Sequence, residues 1–423
     1  MRLRIGLAAT VALVAAFALG PASSSSATGE NAVVHWSGIA EAAISAPTPP
    51  ATALRPPASS TVLAAMVHAA MYDAVVAIEG GFEPFATTLT AAPGASVDAA
   101  VAQAARDVLV ARVPAQTTAV QSAYDAYMAA IPGGSAKDTG KAVGAAAAAG
   151  MLASRVGDGF DDVVPYVQPT PGPGVFEPIA ATPPVDVKLG KVRPFTYTGA
   201  PYRPDAPYAL TSRQYAEDVA EVKDLGRATS TTRTAAQTET VRFFTDPTYV
   251  QYSRGLRTLA NARGLDVRQS ARFLGYTWVA IADTQIACWE AKYHYLFWRP
   301  NHAIQRADTD GNAATTADPT WLPLVTGNHP EYPAGHGCFT AGLTKAVHEF
   351  FGTKWLELTF TSTTTRTTRT YTHIGQLVAD VENARVWGGL HYRTTMTETA
   401  KHFPRIAKDV YKDHFRAVHG GKD

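Results

Sequence analysis

Residues 292–300 read KYHYLFWRP, residues 333–336 read PAGH and residues 385–391 read RVWGGLH. These three fragments combine fixed positive charges, a glycine at which backbone can approach an anion, and histidines. The residues that carry these properties are Lys292, Arg299, Arg385, Gly335, His336 and His391. Arginine offers a planar fork of donors that matches phosphate-like oxygens, and lysine adds a compact charge. Together the fragments predict a pocket for a tetrahedral oxyanion.

In this order and at this spacing, the fragments resemble the active-site pattern of vanadium-dependent haloperoxidases and the type 2 phosphatidic acid phosphatase (PAP2) superfamily. That pattern is lysine, six residues, Arg-Pro; then Pro-Ser-Gly-His; then Ser-Arg, five residues, histidine, three residues, aspartate. The motif resemblance runs from about Trp289 to Thr395. The rest of the chain is similar, more loosely, to the secreted bacterial haloperoxidase-like branch. The resemblance implies a helical protein with its anion pocket in the C-terminal bundle.

The resemblance also implies a vanadate cofactor, although phosphate can occupy the same kind of pocket. His391 would bond directly to vanadium in a haloperoxidase, or take the phosphoryl group as nucleophile in a phosphatase. His336 would be the acid–base residue in either enzyme. Lys292, Arg299 and Arg385 would neutralise the equatorial oxygens of the oxyanion.

The second fragment is followed directly by an apolar helical run from Phe339 to Phe351. Backbone N–H groups at the start of such a helix, around Gly335, can bind an anion. The plainer interpretation is a simple turn from a loop into a helix. Gly388 and Gly389, just before His391, likewise indicate backbone that can pass close to a ligand.

Two positions concern the halide side of the expected pocket. Trp289 resembles a tryptophan that lines this side in family peroxidases, with an ordinary core residue as the alternative. His329 falls where the family varies between phenylalanine and histidine, a position linked to chloride versus bromide preference.

The chain departs from the pattern at Ala334, Ala384 and Thr395, which stand in place of serine, serine and aspartate. Loss of the serine hydroxyl at position 334 removes one hydrogen bond to the anion, worth about 1.5–3 kcal/mol. The aspartate belongs to the support of the ligand histidine, and such partners matter roughly 10–100-fold in affinity or activity. Thr395 itself, or an acid such as Glu382 or Glu398, is a candidate substitute.

Composition limits the classes of partner. Only 17% of the 423 residues are charged, and the formal net charge is +1. Residues 1–27 read as a cleavable secretory signal, because Arg2 and Arg4 precede an apolar core from Ile5 to Leu19. Without this leader the chain has 35 basic and 36 acidic residues. We therefore expect a secreted protein without nucleic-acid binding or stable membrane insertion, and no second segment of membrane length.

Helical periodicity and breaker residues predict an all-α fold of two packed helical bundles. After the signal, residues 28–163 form a lead-in and an N-terminal helical bundle, with an extended lead-in over 28 to about 58. Residues 164–211 are rich in proline and glycine and form a crossover. Residues 212–423 form the C-terminal bundle with the anion pocket, including one long helix from about Val267 to Trp298. Lys292 and Arg299 are seven residues apart, which would place both on one face of that helix.

The two cysteines, Cys288 and Cys338, each lie beside a pocket motif. In an exported protein they invite a disulfide, and the alternative is two small buried residues.

These features predict a secreted vanadium-dependent haloperoxidase-like enzyme that uses hydrogen peroxide to oxidise a halide, with a small organic substrate. Two alternatives stay open. One is a secreted PAP2-type acid phosphatase or phosphoesterase with a phosphohistidine intermediate, and the other is a degenerate member that only binds an anion. The size of the helical surfaces leaves a homodimer open.

Overall fold

The computed structural model describes residues 30–47, 55–179 and 183–418. The predicted signal at 1–27 therefore lies outside the described residues. The described chain is mostly helical, which confirms the all-α prediction. Its α-helices are α1 Ala32–Ser45, α2 Pro57–Glu79, α3 Val97–Arg112, α4 Thr117–Ala129, α5 Ser135–Ser154, α6 Arg213–Leu225, α7 Ala235–Phe243, α8 Thr248–Ala262, α9 Val267–Tyr295, α10 Pro300–Gln305, α11 Gly335–Phe351, α12 Ile374–Trp387, α13 Arg393–His402 and α14 Pro404–Asp413.

The extended lead-in expected over residues 28 to about 58 is wrong for α1. The side chain of Asn31 caps this helix by accepting hydrogen bonds from the N–H groups of Val33 (3.1 Å) and Val34 (3.2 Å). Val33, Val34 and Trp36 are fully buried. The burial of this apolar face against α3 and α8 outweighs the weak helical signal of the segment.

Helix α2 is the central helix of the N-terminal bundle and packs along α9. Among the described residues it alone is long and apolar enough to cross a membrane by length and composition, contrary to our expectation of no second segment of membrane length. However, 89% of its most apolar window is buried inside the protein. Its many alanines let neighbouring helices approach closely, so its hydropathy fits a core helix.

The proline- and glycine-rich crossover contains no α-helix in its described part, only a short 3₁₀ turn at Leu189–Lys191. The buried carboxylate of Asp283 on α9 fastens it. This carboxylate accepts hydrogen bonds from the N–H of Phe195 (2.6 Å), the N–H of Thr196 (2.9 Å) and the Thr196 hydroxyl (2.5 Å). Side-chain acceptors replace the ladder bonds that a segment without regular structure lacks.

Helix α9 begins at an Asp266–Gln269 capping box and ends at Tyr295, earlier than predicted. Leu296 adopts a left-handed conformation (φ 49°), which turns the chain out of the helix. Arg299 is the N-cap of α10, whose first residue is Pro300. The prediction that Lys292 and Arg299 share one helical face is therefore wrong, and the loop at 296–299 brings them together instead.

Two short antiparallel strands, β1 Leu358–Thr361 and β2 Thr368–Tyr371, form a hairpin that the helical pattern did not predict. Leu358 and Phe360 on one face are buried, whereas Thr359 and Thr361 on the other are not. The hairpin packs on α8. The strands are too short for their alternation to stand out in the sequence.

Cys288 on α9 and Cys338 on α11 form a disulfide, with their Cα atoms 6.3 Å apart. Of the two interpretations left open by the sequence, the structure shows the bridge. It joins the helix that carries Lys292 to the helix that carries His336, so it holds two walls of the candidate site together.

Candidate functional site

Lys292 lies in the last turn of α9 and is fully buried. Its ammonium group donates hydrogen bonds to the carbonyl oxygens of Pro330 (2.9 Å), Glu331 (3.1 Å) and Pro333. It therefore fastens the loop that leads into the PAGH fragment. Burial, and then the charge of nearby Arg299, lower the pKa of Lys292 well below its ordinary value.

Arg299 joins the first fragment to the other two. Its Nε donates to the His329 carbonyl oxygen (2.5 Å), and one terminal nitrogen donates to the Leu390 carbonyl oxygen (3.0 Å). The other terminal nitrogen lies 2.9 Å from His329 Nδ1. Burial lowers the pKa of Arg299 to about 10, so the side chain still carries its charge at neutral pH.

Arg385 comes from the last turn of α12 and is 6% exposed. One terminal nitrogen donates to the Phe244 carbonyl oxygen (3.3 Å). Its Nε is buried and has no hydrogen-bond partner among the described residues. Burial and the charge of Arg299 lower the pKa of Arg385 to about 9. A buried cationic donor without a partner is costly unless an acceptor binds to it.

His391 follows the tight turn after α12 and is 1% exposed. Its Nδ1 lies 2.9 Å from Glu331 Oε1. The same oxygen accepts the N–H of Tyr392 (3.1 Å), and Glu331 Oε2 accepts the Thr395 hydroxyl (2.9 Å). An ionised carboxylate at this distance keeps the proton on Nδ1, which leaves a lone pair on Nε2 for a ligand.

Glu331 itself is fully buried. Burial raises its pKa to about 7, while Lys292 acts in the opposite direction. The sequence pattern missed this residue, because it belongs to none of the three fragments. Glu382 and Glu398, the acids proposed from the sequence, form no hydrogen bond with His391 in the described structure. The signal that could have identified Glu331 is its position two residues before PAGH, in the loop that leads into the candidate site.

His336 is the second residue of α11 and is partly exposed. Its Nε2 lies 2.9 Å from the Thr248 hydroxyl. Burial, and then the charge of Arg385, lower the pKa of His336 well below its ordinary value. A histidine that is neutral and next to a cationic pocket can accept a proton, which fits the predicted acid–base role.

Ala334, in place of the expected serine, is fully buried, and its N–H donates to the Thr399 hydroxyl (3.1 Å). This backbone N–H is therefore engaged by the protein. The next residue, Gly335, begins α11, where the first N–H groups have no partner within the helix. A Cβ at Gly335 would lie only 2.8 Å from Cη2 of Trp289, so glycine is needed here for packing.

Gly389 has a different reason for being glycine. It has φ 77°, and a Cβ there would meet the Gly226 carbonyl oxygen at 2.6 Å and the Pro323 Cβ at 2.7 Å. The backbone before His391 thus packs closely against the loops at 226 and 323, and the expected close approach to a ligand is not what requires this glycine.

Trp289 and His329 lie against each other, with ring centroids 5.5 Å apart and planes inclined by 38°. The Trp289 ring also lies 5.5 Å from the Lys292 ammonium. Trp289 is 5% exposed, and within the part of the chain that the structure describes its buried Nε1 has no hydrogen-bond partner. The structure therefore places both predicted halide-side residues next to the cationic cluster, and Trp289 is at the same time a core residue.

Comparison with known proteins agrees with this geometry. Residues 272–420, which contain all three fragments, match the family model of the VCPO second helical-bundle domain. Residues 272–420 of the chain are thus similar to that domain. No curated protein matches the chain in sequence.

Solved structures of bacterial vanadium-dependent peroxidases share the fold over most of the chain. The first bacterial vanadium-dependent iodoperoxidase superimposes with a TM-score of 0.73 and 20% identity, over 93% of this chain and 96% of that one. An apo-type bacterial vanadium-dependent chloroperoxidase gives 0.72 and 15%, over 91% and 98%. A holo-type bacterial vanadium-dependent chloroperoxidase gives 0.70 and 15%, over 87% and 94%. At these identities the likeness shows the fold.

The residues present fit the oxyanion that the three sequence fragments predict. Within the described structure, three buried cations, Lys292, Arg299 and Arg385, lie close enough to His391 to lower its pKa, and the buried carboxylate of Glu331 pairs with the same histidine. The excess positive charge and the unpartnered Arg385 Nε both call for an anionic acceptor. His391 is the one histidine in the cluster that is paired with a carboxylate, which suits it to bind the central atom.

Proposed function

We propose that the protein is a vanadium-dependent haloperoxidase that uses hydrogen peroxide to oxidise a halide. The observation that carries the proposal is the pairing of His391 Nδ1 with Glu331 beside the buried, unpartnered Nε of Arg385. A histidine-bound vanadate requires a histidine with a ring nitrogen free to act as ligand and a cationic donor for the oxygens of the anion. The solved relatives named as iodoperoxidase and chloroperoxidases support this assignment.

When bound, vanadate supplies a Lewis-acidic centre that activates peroxide towards attack by a halide. His391 offers Nε2 as its ligand, because Glu331 holds the proton at Nδ1. Arg385 and Arg299 balance the negative charge of the oxygens in a site from which burial excludes most water. His336 accepts or returns a proton at Nε2, where the Thr248 hydroxyl is its partner in the resting structure.

The decisive experiment is bromination of monochlorodimedone by the purified protein with peroxide and bromide, before and after addition of orthovanadate. Turnover that requires vanadate and is lost in His391→Ala supports the proposal. His294→Ala is the matched control, because His294 is an exposed histidine. Hydrolysis of p-nitrophenyl phosphate without any peroxide-dependent turnover would move the assignment to a PAP2-type phosphatase. Vanadate binding without either activity would indicate an anion-binding protein.

We also propose that the protein is exported. The basic and apolar N-terminal residues support this, and so does the Cys288–Cys338 disulfide, because such bridges form mainly in oxidising compartments. N-terminal sequencing of protein recovered from the culture medium tests this directly. A mature terminus near residue 28 is expected, and a retained Met1 in the cytosolic fraction would contradict it.

A further inference from the structure

In the superfamily pattern, an aspartate four residues after the ligand histidine supplies the carboxylate that supports this histidine. In this chain Glu331 supplies a carboxylate to His391 instead. In this chain that later position holds Thr395, which is 4% exposed and cannot carry a charge. We propose that Glu331 is the positioning residue for His391 and that Thr395 orients Glu331. The proposal rests on the proposed role of His391 as the vanadate ligand.

The contacts of Glu331 show a carboxylate committed to the segment that carries His391. Each oxygen has a partner there: Oε1 meets His391 Nδ1 and the Tyr392 N–H, and Oε2 meets the Thr395 hydroxyl. The main chain of Glu331 is held separately, through its carbonyl oxygen, by Lys292. Backbone and side chain are thus both fixed, which is what a residue that must orient an imidazole requires.

The two acids exclude one another. A carboxylate at position 395 would face the Glu331 carboxylate where the Thr395 hydroxyl now donates to it. Two carboxylates at such a distance cannot both ionise. One of them would take up a proton, and the hydrogen bond to His391 would be weakened. An acid at position 331 therefore requires an uncharged donor at 395, and threonine supplies the hydroxyl at the right place.

This coupling makes a specific prediction for a set of variants. Glu331→Ala should weaken orthovanadate binding by about 10–100-fold. Thr395→Asp alone should also weaken binding, because it sets two acids against each other. The double variant Glu331→Ala with Thr395→Asp should recover most of the affinity, to within roughly fivefold of the natural chain, since position 395 then supplies the carboxylate for His391 Nδ1.

Two readouts separate positioning from mere stability. Orthovanadate affinity is measured by titration of tryptophan fluorescence. The proton on His391 Nδ1 is followed by ¹⁵N NMR in protein without vanadate, and it should be lost in Glu331→Ala and return in the double variant. Glu331→Gln keeps the side-chain volume if the alanine variant folds poorly, and Glu382→Gln is a control acid elsewhere.

The proposal is overturned if the double variant binds vanadate no better than Glu331→Ala, or if the His391 tautomer is unchanged when Glu331 is removed. If the natural chain itself does not bind vanadate, the proposed function fails, and the NMR experiment still decides the pairing of Glu331 with His391.

A second observation, independent of the first, is a cavity of about 280 Å³ between the crossover and α13. Tyrosine and phenylalanine side chains form part of its walls, and three acids and one lysine border it. The aromatic residues are Tyr208, Tyr215, Phe297, Tyr332 and Tyr392, and the charged residues are Asp205, Asp218, Glu398 and Lys401. Tyr208 is 50% exposed, so the mouth of the cavity presents an aromatic ring to solvent.

Asp218 gives this cavity a preference of charge. It is 5% exposed and, in the described structure, no lysine or arginine lies within ion-pair distance of it. Its carboxylate accepts a hydrogen bond from the Thr394 N–H at 3.2 Å and also interacts with the side chains of Thr394 and Gln214, all of them uncharged donors. A buried carboxylate without a cationic partner gains from a ligand that brings one, and the surrounding ring faces attract the same charge. We infer that the cavity binds a small aromatic ammonium ion.

Calorimetric titration with phenethylammonium tests this inference, with 3-phenylpropionate as the ligand of similar shape and opposite charge. We expect the cation to bind at one site at least tenfold more tightly than the anion. Asp218→Asn, which keeps an acceptor for the Thr394 N–H, should remove most of the preference, and Lys401→Gln should not. Equal affinity for the two ligands, or binding of the cation that is unchanged in Asp218→Asn, would refute it.

Discussion

Reduction of the Cys288–Cys338 bridge should lower the stability of the protein by an amount that follows from its place in the chain. The bridge closes a loop with a sequence separation of 50 residues. The chain-entropy relation for a loop of this length gives about 14 cal/mol/K, or about 4 kcal/mol at 25 °C. Average unfolding entropies for a chain of 423 residues amount to about 0.8–0.9 kcal/mol/K, so the midpoint of thermal unfolding should fall by about 5 °C.

The assay is calorimetry of the oxidised protein, the protein reduced in dithiothreitol, and the variant Cys288→Ala with Cys338→Ala. Reduction removes the constraint without removing atoms, whereas the variant also removes buried sulfur, so the variant should be no more stable than the reduced protein. Because the bridge holds α9 against α11, orthovanadate affinity should fall in both. A midpoint within 1 °C of the oxidised protein after complete reduction would refute the reasoning.

Three further predictions concern the charged groups. Arg385→Gln should weaken orthovanadate binding by roughly 10–150-fold, because a buried charge-assisted hydrogen bond contributes about 1.5–3 kcal/mol; unchanged affinity in a fluorescence titration would exclude Arg385 from the pocket. Asp283→Asn should lower the unfolding free energy by about 1–3 kcal/mol, because an amide group then faces the N–H groups of Phe195 and Thr196. Limited proteolysis should also cut the crossover sooner in this variant. Equal urea midpoints would show that Asp283 does not hold the crossover in place. Burial raises the pKa of Asp73 to about 6 from an ordinary 3.8, so between these pH values the folded state binds more protons than the unfolded state. The Asp73 carboxyl therefore destabilises the fold as the pH rises from about 4 to 6. The stability of Asp73→Asn should increase relative to the natural chain across that window, and a constant difference in their unfolding midpoints would contradict this.

Much of the fold could be predicted from local patterns. Periodicity and breakers predict helices over about 116–131, 140–156 and 212–228, and α4, α5 and α6 lie there with slightly different bounds. The crossover contains no α-helix in its described part. The sequence pattern also predicts one helical stretch from Ala235 to Ala262, which Pro247 divides into α7 and α8. Two predictions of helix bounds were wrong for reasons that periodicity does not show. Burial against other helices stabilises α1, and a left-handed Leu296 ends α9 three residues before Trp298. Neither event has a marked signal in the sequence nearby.

The candidate site likewise has features that the sequence predicts and features that it does not. The cations, Gly335 and the two histidines are recognisable in sequence because an oxyanion requires those chemical groups, and the helices that carry them are local structures. Which carboxylate faces His391 is not a local property. Glu331 and His391 are 60 residues apart, and their 2.9 Å contact exists only because Lys292 fastens one loop while the turn at Gly389 presents the other.

The sequence by itself thus determined the all-helical class, the three fragments and the charge of the pocket, since these depend on residue type and short-range spacing. The tertiary structure alone decided that Lys292 fastens a loop, that Arg385 keeps an unpartnered donor, and that Glu331 supports His391. Hydrogen bonds reach only about 3 Å, so the partner of a buried polar group is settled by packing between segments that are distant along the chain.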